Sequence, residues 1–445
     1  MGEVTQLNRY VLKKIGIYLC LSLMLNLFVM SMFSGSAAYA EEDTQPPLNI
    51  NADASILIEA STGQVLYQNN ANIALPPASM AKMMTEYLVL ESIEQGKISW
   101  DESVTISSKA AAIPGSGQLL AEGETYTVRD MFRYMAIYSG NDGAVALAEK
   151  VAGSEENFVN MMNQKAKEMG MSNTAFFANA TGLPNKDLGD LAPSTAETII
   201  SAQDLATLAR RIVLDFPETL KVSSTPTAYL REGDSSTHEF DNWNWMLEGW
   251  KSYNNNFSSI AYEGLDGLKT GSTTEAGYCF TGTAERDGIR LISVVMNTES
   301  RTARFEETGR LLDYGFNNFE IKTVVAAKSE LDDIKTVPVK KGIELEVPIQ
   351  TEAGVELVVE KGESMDNIQF ETTILPEEEL IAPIQQGDVI GTLTVKYDQL
   401  SEPFEETLNL VAAEDVEKAS WFRLLLRAIK DFFVDIFEGI KGFFG

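Results

Sequence analysis

Two adjacent apolar runs joined by a tight turn place the main restriction on the fold. Residues 277–285 and 289–297 flank Arg286-Asp287-Gly288, in which the glycine stands where a hairpin turn needs a positive φ. The second run contains Leu291-Ile292-Ser293-Val294-Val295-Met296, which is almost continuously apolar and therefore typical of a central strand covered on both faces. The chain is accordingly predicted to build a layered domain with helices on both sides of a sheet.

The patterns elsewhere fit around this hairpin. An early hairpin is predicted at 56–67 and a further strand at 265–273, while residues 222–262, with three tryptophans, are predicted to be an irregular excursion over a cleft. Apolar residues spaced three and four apart predict helices at 79–96, 127–136, 144–151, 157–167, 202–214 and 303–319. The predicted fold class is mixed α/β (α+β), a central antiparallel sheet flanked by helices.

The pattern changes after residue 320. Short alternating strands, such as 355–359 and 389–395, predict a small all-β domain. In 420–445, aromatic and aliphatic residues recur every three or four positions and charged residues occupy the other face, which predicts an amphipathic helix lying on a membrane surface. The alternative is a helix docked on its own protein. The charges within the segment argue against a membrane-spanning helix.

The first 40 residues have the organisation of a secretory signal peptide. Basic residues precede the apolar run 15–32, and small residues lead to Ala38-Tyr39-Ala40. Cleavage after Ala40 predicts an exported protein, with a retained membrane helix as the alternative. The predicted domains are a signal peptide at 1–40, a mixed domain at 41–320, a β-domain at 321–412 and an amphipathic helix at 413–445.

Composition argues against several classes of function. The formal net charge is −30 and no cluster of Lys and Arg occurs, which argues against binding to nucleic acid. His238 is the single histidine and stands in a polar run, so that neither a Ser-His-Asp triad nor a multi-histidine zinc site fits. Cys279 is the only cysteine after residue 40, which leaves no intrachain disulfide. Hydrolytic chemistry in this chain therefore points to serine and lysine.

Ser79 and Lys82 form the first candidate catalytic pair. Pro76 and Pro77 precede a helix-favouring run, and residues three positions apart lie on one face of a helix. A hydroxyl beside an amine can act as a nucleophile with its own base. The alternative is that Ser79 caps the helix and Lys82 is an ordinary solvated lysine. The short motif alone does not decide between them.

Two further motifs follow in order. Ser139-Gly140-Asn141 lies in a polar loop between predicted helices, and Lys269-Thr270-Gly271-Ser272 lies on a predicted strand. Each motif is weak alone, but the ordered set is a strong signal. With these motifs, and with Asn179-Ala180-Thr181-Gly182-Leu183, the chain resembles the penicillin-recognising serine enzymes. More narrowly, it resembles the low-molecular-mass D-alanyl-D-alanine carboxypeptidases of Gram-positive type (class C penicillin-binding proteins, peptidase family S11).

The resemblance implies catalytic roles. Ser79 would attack the carbonyl of the penultimate D-alanine and form an acyl-enzyme. Lys82 would accept the proton of Ser79 if burial and the neighbouring cationic Lys269 lower its pKa. Ser139 would relay that proton to the leaving amine.

The resemblance also implies a substrate site. The implied substrate-binding residues are Asn141, Lys269, Thr270, Gly271 and Ser272. Within this set, Lys269, Thr270 and Ser272 would bind the terminal carboxylate, and the backbone N–H groups of Ser79 and Ser272 would form the oxyanion hole. The implied partners are peptidoglycan stem peptides ending in D-Ala-D-Ala and, as covalent inhibitors, β-lactams; no metal and no organic cofactor is implied. Asn242 and Asn244 are further candidates for lining the cleft, with core packing as the alternative.

Two other functions share these motifs. A class A β-lactamase would carry Glu-x-x-Leu-Asn between the second and third motifs, whereas here the string occurs only as Glu405-Glu406-Thr407-Leu408-Asn409, in a predicted strand after Lys269. A non-catalytic penicillin sensor or scaffold would usually have transmembrane signalling segments, and none is evident beyond the predicted signal peptide. Release of D-alanine and turnover of penicillin would separate the three functions.

Overall fold

The computed structural model of the protein describes residues 48–233, 237–253, 256–331, 333–398 and 404–444. The predicted signal peptide lies outside these residues. The strands are β1 Ala54–Glu59, β2 Val65–Asn69, β3 Ala74–Leu75, β4 Ser103–Thr105, β5 Thr125–Thr127, β6 Ile200–Ser201, β7 Thr227–Leu230, β8 His238–Asp241, β9 Leu265–Thr273, β10 Gly277–Arg286, β11 Ile289–Thr298, β12 Phe319–Val325, β13 Thr336–Pro338, β14 Glu346–Thr351, β15 Val355–Glu360, β16 Gln369–Ile374, β17 Val389–Tyr397 and β18 Phe404–Ala412. The α-helices are α1 Lys82–Glu94, α2 Ser108–Ala112, α3 Val128–Arg133, α4 Asn141–Ala152, α5 Glu155–Glu168, α6 Asn185–Leu188, α7 Ala202–Asp215, α8 Thr219–Ser223, α9 Ala303–Asn318 and α10 Trp421–Phe444.

The central sheet has the order β2-β1-β11-β10-β9, and all neighbouring strands are antiparallel. Every residue from Leu291 to Met296 in β11 is buried, as the apolar run predicts for a central strand. Ile56 and Val294 belong to the core that holds α1, α4 and α7, whereas Leu57 and Leu291 face Gly315 of α9. Helices therefore cover both faces, and the predicted fold class is confirmed.

The predicted loop between the helices at 127–136 and 144–151 is shorter than expected. After α3 the chain forms a π-helical turn, Tyr134–Tyr138, and α4 begins at Asn141 instead of at Ala144. The polar residues of the break therefore provide the first turn of a helix, because Asn141 and Asp142 have buried hydrogen-bond partners there. The sequence shows that these residues are polar, but it does not show that their hydrogen-bond partners are buried.

The excursion at 222–262 is more regular than predicted. It contains the antiparallel hairpin β7–β8 and short 3₁₀ turns at Glu248–Ser252 and Asn256–Ser259. Trp250 is 1% exposed, and its indole N–H donates to the carbonyl of Asn244 at 2.9 Å. Buried aromatic rings and bonds from side chain to backbone hold this segment, and neither leaves a periodic pattern in the sequence.

Residues 319–412 form only strands and loops in their described part. One sheet has the order β13-β14-β18-β17-β16, and β12 pairs with β15. Gln64 Nε2 donates to the carbonyl of Val358 at 2.8 Å, which connects this β-layer to the loop before β2. The all-β character that the alternating pattern predicts is confirmed, while the domain boundaries stay a prediction.

The last helix, α10, exposes its apolar face. Trp421, Phe422, Phe432 and Phe433 are between 56% and 76% exposed. At the other face, the Arg427 guanidinium donates to the carbonyls of residues 342 and 343 at 2.6 and 2.8 Å. None of the helices in the described ranges is both long and apolar enough to cross a membrane.

Candidate active site

Ser79 lies in a 3₁₀ turn, Ala78–Ala81, immediately before α1. Its neighbours Ala78 and Met80 are buried, whereas Ser79 itself is partly exposed. Two glycines allow the surrounding chain to approach this turn closely. A Cβ on Gly271 would lie 2.5 Å from the carbonyl oxygen of residue 77, and one on Gly182 (φ +77°) would overlap the carbonyl of Ala78. The turn is thus held between β9 and the 179–183 segment, and Ser79 is its partly exposed residue.

Lys82 is fully buried and makes three hydrogen bonds. Its Nζ lies 2.9 Å from Ser79 Oγ, 2.6 Å from Asn141 Oδ1 and 3.0 Å from the carbonyl of Thr181. The last two partners can only accept, so a neutral amine satisfies them with its two N–H groups. Its lone pair is then directed at Ser79, which is the geometry of a base beside its nucleophile.

Burial also favours the neutral form of Lys82. The pKa of Lys82 is lowered well below its ordinary value, first by burial and then by repulsion from Lys269, while Glu86 and Asp142 act in the opposite direction. Its three hydrogen-bond partners are neutral groups, so no carboxylate in contact with it cancels the cost of burying a charge. Lys82 is therefore not the ordinary solvated lysine that was the alternative prediction.

Ser139 stands at the end of the π-helical turn in the left-handed region, with φ 67°. This conformation is unfavourable for a serine, and such strain is often found at functional positions. The next helix begins at Asn141, whose Nδ2 donates to the carbonyl of Pro114 at 2.7 Å and whose backbone N–H donates to the carbonyl of Ser116 at 2.7 Å. These bonds fix the amide so that Oδ1 faces Lys82.

Lys269 extends from β9 towards the same loop. Its Nζ donates to Ser139 Oγ at 2.9 Å and to the carbonyl of Thr270 at 3.3 Å, and the residue is 3% exposed. Burial lowers the pKa of Lys269 to about 8; Glu86 opposes the shift and Arg304 adds to it. Further along the strand, Gly271 is buried and Ser272 is exposed.

The structure brings the predicted residues together in two hydrogen-bonded groups. Ser79, Lys82 and Asn141 form one, and Ser139 with Lys269 forms the other. Repulsion from Lys269 contributes to the lowered pKa of Lys82, so the two groups are coupled electrostatically. Thr270, Gly271 and Ser272 follow on β9, where their backbone runs beside the turn that carries Ser79.

Sequence reasoning missed three participants. The carbonyl of Thr181 accepts from Lys82, and the buried Arg304 of α9 donates to the carbonyl of Gly271 at 3.3 Å. Glu86 is buried one helical turn after Lys82. Glu86 could have been found from its spacing of four residues after Lys82, which places both on one helix face. No feature of the sequence pointed to the carbonyl of Thr181 or to Arg304.

Both asparagines of the excursion are buried, as the packing alternative predicts, and Asn242 also lines a cavity beside Trp243. Asn242 Nδ2 donates to the carbonyls of Ser223 and Thr225, both at 3.0 Å, and Asn244 is 1% exposed. The residue between them makes the connection to the site, because the Trp243 indole N–H donates to the carbonyl of Tyr138 at 2.9 Å. The excursion thus supports the backbone immediately before Ser139.

Comparison with known proteins agrees with this geometry. A family model described as D-alanyl-D-alanine carboxypeptidase matches residues 40–300, and a model of the C-terminal domain of penicillin-binding protein 5 matches residues 319–418. The chain is 35% identical to the D-alanyl-D-alanine carboxypeptidase DacF of Bacillus subtilis, over 91% of this chain and 96% of that protein. The chain belongs to the D-alanyl-D-alanine carboxypeptidase family.

Solved structures of the family have the same architecture. A peptidoglycan synthesis regulatory factor (PBP3) from Streptococcus pneumoniae matches with a TM-score of 0.68 and 31% identity, over 83% of this chain and all of that chain. Penicillin-binding protein D2 from Listeria monocytogenes, solved in an ampicillin-bound form, matches with a TM-score of 0.52 and 34% identity, over 61% of this chain and all of that chain. The family predicted from the three motifs is confirmed, and the Glu405–Asn409 string lies on β18, outside the peptidase match.

Proposed function

We propose that this protein removes the terminal D-alanine from peptidoglycan stem peptides ending in D-Ala-D-Ala, through an acyl-enzyme on Ser79. The observation that carries the proposal is the 2.9 Å contact between Ser79 Oγ and an amine whose other two partners are acceptors only. A hydroxyl in this position loses its proton to Lys82 as it attacks, so the nucleophile needs no histidine.

In the acylation step, Ser79 Oγ bonds to the carbonyl carbon of the penultimate D-alanine and its proton moves to Lys82. The bond to the terminal D-alanine nitrogen then breaks, and this nitrogen receives a proton from Ser139. Ser139 regains a proton from Lys82, so that Lys82 is neutral again. Ser139 is suited to the relay because its hydroxyl oxygen accepts from Lys269, which leaves its own proton free to be donated. Water subsequently hydrolyses the ester and restores Ser79.

The carboxylate of the substrate is bound at β9 in this proposal. Lys269 supplies positive charge, and the hydroxyls of Thr270 and Ser272 supply hydrogen bonds, with Asn141 and Gly271 completing the substrate contacts. The backbone N–H groups of Ser79 and Ser272 stabilise the oxyanion. Because the site binds a free carboxylate next to the scissile bond, the enzyme cleaves only the last residue of a peptide, which is a carboxypeptidase reaction.

The same site accounts for acylation by β-lactams, which combine a reactive amide with a nearby carboxylate. The test is labelling with a fluorescent penicillin, together with release of D-alanine from a D-Ala-D-Ala-terminated peptide. Wild-type protein should show both activities with slow turnover of the penicillin, and Ser79→Ala should show neither. Labelling that persists in Ser79→Ala would refute the assignment, rapid penicillin turnover would indicate a β-lactamase, and labelling without release of D-alanine would indicate a sensor.

We further propose that the protein is exported through residues 1–40 and that α10 holds it on the outer face of the cell membrane. The support is the exposed row of large apolar side chains from Trp421 to Phe433, opposite the face on which Arg427 contacts the protein. Aromatic and aliphatic side chains on one face of such a helix partition into the lipid interface.

A further inference from the structure

Glu86 is a buried carboxylate that the proposed reaction does not use. It lies one turn after Lys82 on α1, so that the two side chains share a helix face. The residue is 3% exposed, and its Oε1 is buried without a hydrogen-bond partner in the part of the chain that the structure describes. A buried carboxylate with such an oxygen costs free energy, which requires an explanation in a well-packed site.

The charged groups around Glu86 come from four elements. Lys82 on its own helix and Lys269 on β9 act on Glu86 directly. Asp142 of α4 acts on Lys82, and Arg304 of α9 acts on Lys269. Glu86 is thus a carboxylate whose charge affects both active-site amines.

The two amines have only neutral hydrogen-bond partners among the described residues. Lys82 bonds to a hydroxyl, an amide oxygen and a carbonyl, and Lys269 bonds to a hydroxyl and a carbonyl. Two buried cations held only by neutral groups repel each other and favour losing a proton. Glu86 and Asp142 both raise the pKa of Lys82, and Glu86 also raises the pKa of Lys269.

We propose that Glu86 is a positioning residue whose negative charge retains one proton on the lysine pair, so that Lys269 is charged while Lys82 is neutral. The inference rests on the proposed function, in which Lys82 accepts a proton and Lys269 attracts a carboxylate. Burial raises the pKa of Glu86 to about 7, against the effect of the two lysines, so its ionisation falls near neutral pH. Removing the carboxylate lowers the proton affinity of both amines.

The test is Glu86→Gln, which keeps the shape and removes the charge. The rate constant of acylation by a fluorescent penicillin is measured as a function of pH, which gives a profile with an acid limb and an alkaline limb. Its acid limb reports deprotonation of Lys82 and its alkaline limb reports deprotonation of Lys269. The alkaline limb should move to lower pH by about one unit, which makes acylation about tenfold slower on that limb. The acid limb should move in the same direction but less, because Glu86 itself becomes protonated, and so loses its charge, at about pH 7.

Two further variants separate charge from structure. Glu86→Met also removes the charge and should give the same shift. Glu91→Gln, on the same helix as Glu86, breaks a partly buried pair with Lys165 of α5 and should leave both limbs in place. The rate constant is independent of the folded fraction, so partial unfolding of a variant does not hide the shift. Limbs that stay in place in both Glu86 variants, or that move to higher pH, would overturn the proposal. Failure of the proposed function is a different result, namely wild-type protein that neither labels nor releases D-alanine.

Discussion

Replacing Asn141 by aspartate would put a carboxylate oxygen where Oδ1 now accepts from Lys82 at 2.6 Å. At this distance the attraction between unit charges is at most about 6 kcal/mol for an effective dielectric constant of about 20. The net gain of a charged hydrogen bond in proteins is smaller, about 1.5–3 kcal/mol. Because about 1.4 kcal/mol corresponds to one pKa unit, we expect the pKa of Lys82 to rise by about one to two units.

The sign of this change is unfavourable for catalysis. A raised pKa keeps Lys82 protonated to higher pH, so the acid limb of the acylation profile should move upwards and the rate on that limb should fall by about 10- to 100-fold. Because the pKa of Lys269 is about 8, the two limbs should approach each other and lower the maximum. The assay is the rate constant of fluorescent-penicillin acylation as a function of pH.

A matched control is Asn163→Asp on α5. Asn163 Nδ2 donates to the carbonyls of residues 159 and 177 at 2.9 and 2.8 Å, so the aspartate loses comparable bonds away from the site. This variant should lose stability without moving either limb. If Asn141→Asp lowers the rate equally at all pH values, with its acid limb unmoved, the assignment of Lys82 as the base is refuted.

Three further results are expected. Gly182→Ala, which forces a Cβ onto the carbonyl of Ala78 at φ +77°, should displace the turn of Ser79 and slow acylation by about tenfold or more, measured on protein whose melting temperature is recorded alongside. Truncation after Ala419 should abolish co-sedimentation with lipid vesicles and leave acylation in solution unchanged; persistent sedimentation would exclude α10 as the anchor. Cys279, which is buried and whose pKa is raised by burial to about 11, should react with thiol reagents only on unfolding, and rapid labelling of native protein would contradict its placement.

The sequence was sufficient to identify the side chains that the structure brings together at the candidate site and the layers that hold them. The run Leu291–Met296 predicted the central strand, and three short motifs predicted which side chains meet. These features are local, because each is a residue type at a fixed spacing along one element. For the same reason the position of Glu86, four residues after Lys82, was readable in principle.

The electrostatic state of the site was not readable, because it is set by segments distant in sequence. Lys82 becomes buried only when the 179–183 segment and Asn141 close over it, which brings together residues 59 and 99 positions away. Arg304 reaches the carbonyl of Gly271 from α9, across a separation of 33 residues. Such contacts depend on tertiary packing, and a pattern of residue types along the chain does not encode their distances.

The buried cations also imply how a substrate should alter the pH profile. An anionic carboxylate bound at Lys269 favours the charged amine, so it raises the pKa of Lys269 above its value of about 8 in the free protein. The alkaline limb should therefore lie at higher pH in kcat, which reports the complex, than in kcat/KM, which reports the free enzyme. A D-Ala-D-Ala peptide with an amidated terminus lacks the charge and should show no such separation. A charged Lys269 lowers the pKa of Lys82 by repulsion. Binding of the carboxylate, which keeps Lys269 charged, would therefore also keep Lys82 neutral while Ser79 attacks. Equal alkaline limbs in kcat and kcat/KM for the free-acid peptide would show that Lys269 does not contact the substrate carboxylate.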